Sequence, residues 1–305
     1  MRLAIVGAGG VGGYFGGRLA AAGVDVSFLA RGAHLEALRT KGLRIESPLG
    51  HVHVPRVSAE SDPARIGPVD VVFFAVKLYD TDAALALLPP LIGPETVVVP
   101  FQNGVDATGA LSRAVGRPHT AGGTAYVAAV IAEPGVIRHT AMDTMVFGEL
   151  DRTRSPRLER LLEACGPAGF EATLSEDIER DIWTKFVRLS VFSGMTAVTR
   201  SPVGVIRDDL DLLAMCQAAA LETMTVARAH GVVLPAQVFD DMVTNLSSLP
   251  PGAKSSMLED LERGRRLELP WLSGAVVRMG REKNVETPIH RFIAAVLAPH
   301  VDGRT

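Results

Sequence analysis

Apolar positions follow two regimes along this chain. In the first part they come as short, nearly unbroken runs: "RLAIV" (2–6), "VDVSFLAR" (24–31), "VDVVFFAV" (69–76) and "TVVVPF" (96–101). Runs of that length without polar alternation suit parallel strands covered on both faces. Between the first two lies a glycine-rich stretch whose residues 10–22 read as a helix stopped by Gly23. From 120 to 150, short strand-like runs flank Glu133-Pro134-Gly135, predicting a hairpin or meander that closes the sheet. "ELDRTRSPRLERLLEACG" (149–166) predicts a helix with an exposed charged face. Past Ser175–Asp181 the pattern becomes helical, with helices expected over 177–199, 203–231, 235–247, 256–267, 270–283 and 288–298.

One helical stretch carries an anomaly. In "WTKFVRLSVFSGMTAV" (183–198) apolar residues surround the helix, the mark of a buried helix, yet Lys185 sits among them. Leu189, Ser193 and Thr196 share its side at helical spacing. An ammonium there must be neutralised, paired, extended to the helix edge or functional, because an unpaired buried charge is costly.

The glycine-rich stretch supplies the first chemistry. "RLAIV" runs directly into "GAGGVG", so Gly7, Ala8, Gly9, Gly10, Val11 and Gly12 form a G-x-G-x-x-G turn between strand and helix, with a second strand after it. The first glycine permits the tight turn and the second lets backbone approach a pyrophosphate. The third lets helix pack on strand. The phosphates belong at the helix N-terminus, where free N–H groups and the dipole favour anions. An NAD site wants an acid at the far end of the second strand, but Asp25 opens that strand and Arg31 closes it. A guanidinium there suits a 2′-phosphate, which points to NADP(H). Lys77 and Asn103 stand at the carboxyl ends of two further strands, where open α/β sheets bind ligands.

The expected fold is therefore α/β: a Rossmann-type dinucleotide-binding domain over 1–175, then an all-helical domain over 176–305, with a cleft between them for a small substrate. A length of 305 residues and 47% hydrophobic content fit two cored domains. The net charge of −3 gives no footprint for nucleic acid. Cys165 and Cys216 make neither a disulfide framework nor a metal cluster, so a reducing cytoplasm is expected. The first 22 residues are too glycine-rich for a signal peptide, and prolines interrupt the low-charge segment 83–105, so no membrane partner is expected. His51 and His53 share a strand face without a third ligand, so no metal site is expected. The sequence leaves oligomeric state open, a homodimer through the helical domain being one option.

Taken together, "IVGAGGVGGYFGGRLA", "VK" (76–77), "QNGV" (102–105), W-x-K (183–185) and "KSSMLEDLERGRRLE" (254–268) resemble the ketopantoate reductase family over nearly the whole chain. The resemblance implies NADPH-dependent reduction of 2-dehydropantoate, a 2-keto acid. It makes Lys185 the general acid and Glu268 a catalytic residue that also contacts bound ligands. It implies that Asn103 touches cofactor and substrate, and that Ser256 binds substrate. "SMLE" also reads as a capping box, which would make Ser256 the start of a helix. Where the family carries asparagines four and eight residues after the lysine, this chain has Leu189 and Ser193; a third asparagine corresponds to Ser273. These departures keep two alternatives in play: a related oxidoreductase acting on another branched 2-keto or 2-hydroxy acid, and a non-catalytic NADP-binding sensor.

Overall fold

The computed structural model describes residues 1–303. The chain forms two compact units, one of residues 1–102 and 106–181, the other of residues 103–105 and everything from Ile182 on. The first unit runs β1 (Arg2–Val6), α1 (Gly10–Ala21), β2 (Asp25–Leu29), α2 (Gly32–Lys41), β3 (Leu43–Glu46), β4 (Val52–Val54), β5 (Ser58–Glu60) and β6 (Val69–Phe74). It continues with α3 (Thr81–Leu85), β7 (Ile92–Pro100), α4 (Ala107–Val115), β8 (Gly122–Glu133), β9 (Val136–Gly148), α5 (Pro156–Cys165) and β10 (Glu171–Leu174). The four apolar runs become strands of a parallel sheet in the order β5-β2-β1-β6-β7. The connections proceed in opposite directions from β1 and from β6, so the switch point of this doubly wound sheet lies between them.

The hairpin forms, with Gly135 at φ 81° in its turn, but it does not close this sheet. Strands β8 and β9 instead build a second sheet with β10, β3 and β4, which the apolar pattern did not announce. Short strands such as β3 and β4 give too few residues for a period to register. Helix α1 lies between the two sheets, and this explains glycines beyond the nucleotide motif. A Cβ on Gly16 would meet Ile5 Cγ1 at 2.7 Å and Phe28 Cε1 at 2.9 Å, on the parallel sheet. One on Gly13 would meet Ile137 Cδ1 at 2.8 Å, and one on Gly17 would meet Leu43 Cδ2 at 2.7 Å, both on the second sheet. A helix flanked by sheets on both sides has room for backbone only.

The second unit is helical: α6 (Ile178–Thr199, of which residues from Ile182 belong here), α7 (Val203–Arg207), α8 (Leu210–Ala229), α9 (Gln237–Ser248), α10 (Ser256–Glu262), α11 (Ser273–Glu282) and α12 (Pro288–Leu297). The single helix expected over 203–231 breaks in two, because Asp209 caps α8 by accepting from the backbone N–H groups of Asp211 and Leu212. The helices expected at 256–267 and 270–283 are shorter, and a 3₁₀ turn (Leu269–Trp271) lies between them. The expected division at 175/176 compares with a contact boundary inside α6, between Asp181 and Ile182.

Helix α6 is buried on most sides, as its pattern required: Trp183, Phe186, Val187, Val191 and Met195 belong to the core of the second unit. Helix α8 has the length and apolarity of a membrane span, yet it buries polar groups against α12. Its Glu222 carboxylate accepts from the backbone N–H groups of Ile289 (2.8 Å) and His290 (3.0 Å), capping the first turn of α12. Burial lowers the His290 pKa to about 4 and keeps the ring neutral. Its Nε2–H then donates to the Ala219 carbonyl at 3.0 Å, so Nδ1 accepts from the Ser273 hydroxyl at 3.2 Å.

Candidate active site

The carboxyl edge of the parallel sheet gathers the residues expected to hold a dinucleotide. Gly7 has φ 100°, and a Cβ there would lie 2.7 Å from the backbone of Ala75 and Val76, so only glycine fits. A Cβ on Gly12 would press on the Gly7 carbonyl, and Gly10 is crowded by the Ala129 carbonyl of β8. Gly9 differs: it caps α1 without a side-chain hydrogen bond, and a Cβ there would meet nothing within 4 Å. An open face beside uncapped helix N–H groups fits a pyrophosphate. Ala8 is buried and Val11 partly so, which fixes the turn from below.

Arg31 lies just beyond β2, at the N-cap of α2, and is 86% exposed. Lys77 lies three residues beyond β6 and is exposed as well. Arg31 Nη2 donates to Asp80 Oδ2 at 3.3 Å. Asp80 carries no mark in the sequence, since nothing in a linear pattern links the ends of β2 and β6.

The second unit contains the lysine's partners. Asn103 joins it through the short excursion 103–105, a turn that Gly104 makes possible at φ 82°. Lys185 Nζ donates to Asn103 Oδ1 at 3.1 Å, and Asn103 Nδ2 donates to Glu268 Oε2 at 3.3 Å. The chemistry fixes the amide's orientation: only its oxygen can accept from an ammonium, and only its nitrogen can donate to a carboxylate. Glu268 is 7% exposed. Withdrawal from water lowers the Lys185 pKa to about 8; the Glu268 charge works against that fall and the Arg188 charge adds to it. Ammonium, amide and carboxylate thus form one hydrogen-bonded chain, although Asn103 lies 82 residues before Lys185 and 165 before Glu268 in the sequence.

The remaining expected residues divide. Leu189 follows Lys185 by one turn of α6 and is partly buried against the core. Ser193 is fully buried, and its hydroxyl meets no partner among the described residues. Ser256 is exposed in the first turn of α10 and is not the cap. The cap lies one residue earlier than the S-x-x-E spacing places it: Ser255 Oγ accepts from Leu258 N at 3.1 Å and pairs with Thr196 Oγ1 on α6. The doubled serine in "KSSMLE" was the available signal. Ser273 is committed to His290. No cluster of three metal-ligating side chains occurs among the described residues, and His51 instead accepts from the Ser47 N–H at 3.2 Å.

A doubly wound sheet with an open glycine turn, and a helical unit presenting a lysine of lowered pKa beside a buried acid, define a nicotinamide-dependent oxidoreductase. Residues 3–152 match the family described as ketopantoate reductase PanE/ApbA, and residues 177–300 match its C-terminal family. The chain belongs to the ketopantoate reductase family, oxidoreductases acting on CH–OH/C=O groups of small molecules. It is 34% identical to the 2-dehydropantoate 2-reductase of Mesorhizobium japonicum, across 98% of this chain and 96% of that one. Among solved structures, a PanE/ApbA family ketopantoate reductase from Ralstonia eutropha is 32% identical over 98% of both chains, with a TM-score of 0.90. A D-mandelate dehydrogenase solved with NADH and anilino(oxo)acetate shares the fold over 98% of both chains (TM-score 0.89) at 20% identity.

Proposed function

We propose that this protein reduces 2-dehydropantoate to pantoate with NADPH, in a reducing cytoplasm. The observation that carries the proposal is the Lys185–Asn103–Glu268 chain. The first unit would hold NADPH through the turn from Gly7 to Gly12, with Arg31 and Lys77 toward the 2′-phosphate. The cofactor, when bound, supplies the hydride that reduces the keto carbon. Lys185 would stabilise the negative charge growing on the keto oxygen and then give that oxygen its proton. A pKa of about 8 leaves the amine mostly protonated at neutral pH yet willing to release its proton. Asn103 orients the ammonium, and Glu268 keeps it charged against the cost of burial. The free, buried thiols of Cys165 and Cys216 support a reducing compartment.

Leu189 favours a second reading, in which the substrate is another branched 2-keto acid. An apolar side chain one turn from the lysine offers no hydrogen bond to a substrate hydroxyl, and such a neutral bond is worth about 0.5–1.5 kcal/mol.

The test is NADPH oxidation with 2-dehydropantoate and with its analogue lacking the 4-hydroxyl, wild type beside Lys185→Ala. We expect fast turnover of 2-dehydropantoate and a loss of about 10²–10⁴-fold in the variant. A strong preference for the dehydroxylated acid would move the assignment to the second reading. Turnover unaffected by the substitution would remove Lys185 from the chemistry.

A further inference from the structure

The Arg31–Asp80 pair lies across the cofactor edge. Strand β2 precedes Arg31 and strand β6 precedes Asp80, and these strands flank β1 on either side. Their side chains therefore meet across the end of β1, where the glycine turn begins, at 3.3 Å. Arg31 is 86% exposed and Asp80 36%, so both groups are within reach of a ligand at that edge. The end of β2 lacks the acid that binds a ribose 2′-hydroxyl in NAD sites, and Asp80 brings a carboxylate to the same place from the other side of the switch point.

We propose that Asp80 is a cofactor-specificity residue that keeps NADH competitive with NADPH. This rests on the reading of Arg31 as the partner of the 2′-phosphate. With NADH, the Asp80 carboxylate accepts from the ribose hydroxyls while Arg31 stays neutralised. With NADPH, the dianionic 2′-phosphate takes Arg31 and must do so against the Asp80 charge. The two residues oppose one another: Arg31 raises the preference for the phosphorylated cofactor and Asp80 lowers it. Both groups are exposed, so salt weakens the opposition.

Titration of each reduced cofactor by nicotinamide fluorescence, without any keto acid, tests this independently of substrate. In the wild type, NADPH should bind less than about tenfold more tightly than NADH, since exposed charge pairs contribute little. Asp80→Asn should widen that ratio at least about fivefold at low salt, through tighter NADPH and weaker NADH. Arg31→Ala should weaken NADPH alone. An unchanged or narrowed ratio in Asp80→Asn, with Arg31→Ala still selective, would overturn the role of Asp80 and leave the cofactor edge standing. Equal affinities in all three proteins would overturn the edge as well.

Discussion

Lys185 shows how one side chain gains its chemistry from neighbours that no local pattern contains. Burial alone would drive its pKa further down, and Glu268 limits the fall. The lysine must be protonated to give a proton, so reduction should reach its full rate about one pH unit or more below 8. Its kcat/KM should then decline about tenfold per pH unit above the apparent pKa, while alcohol oxidation should rise through the same range. Removing the Glu268 charge should move the break to lower pH, because the ammonium loses its stabilising partner. A pH–rate profile of wild type beside Glu268→Gln checks both; a break that stays in place would detach Glu268 from the lysine. Lys185 was legible in the sequence because a charge in an apolar helix is conspicuous. Asp80 was not, since it is defined by Arg31 on a distant segment, whereas the Ser255 cap is local and the doubled serine marks it.

Helix α1 shows two uses of glycine within one element. Gly9 faces open space at the helix N-terminus, and Gly16 faces Ile5 and Phe28 across the sheet. Gly9→Ala should cost no more than about 1 kcal/mol, the difference between glycine and alanine at an uncrowded N-cap. It should nevertheless weaken NADPH binding at least about tenfold, by placing a methyl group where phosphates approach. Gly16→Ala should do the opposite. Overpacking costs about 1–3 kcal/mol and outweighs the gain of up to about 1 kcal/mol in helix propensity. Thermal melts with and without NADPH separate the cases; equal destabilisation by both substitutions would contradict the arrangement. The G-x-G-x-x-G spacing marked the nucleotide turn in advance. It gave no hint that Gly13 and Gly17 exist for a second sheet, because that sheet is assembled from β3, β4, β8, β9 and β10, which are scattered between residues 43 and 174.

At the scale of the whole molecule, each unit has its own core and its own buried thiol: Cys165 in the first and Cys216 in the second. Burial pushes both pKa values up to about 12, so neither thiol forms a thiolate in the native protein near neutral pH. Thiol reagents should label the native enzyme only through opening. In rising denaturant, labelling of the two cysteines should report the opening of their units separately, and adding NADPH should slow Cys165 more than Cys216. Peptide mapping after labelling checks this; rapid labelling of either cysteine in the native state would show that its surroundings are open. The sequence by itself determined the parallel sheet, the glycine turn, the helical second half and the lysine worth asking about. Those follow from local period, from backbone sterics and from the cost of burying charge, all of which neighbouring residues set. Only the tertiary structure decided the second sheet, the transfer of Asn103 to the helical unit and the partners of Lys185 and Arg31. Contacts between segments far apart in the chain depend on how the elements pack, and a linear pattern does not encode that packing residue by residue.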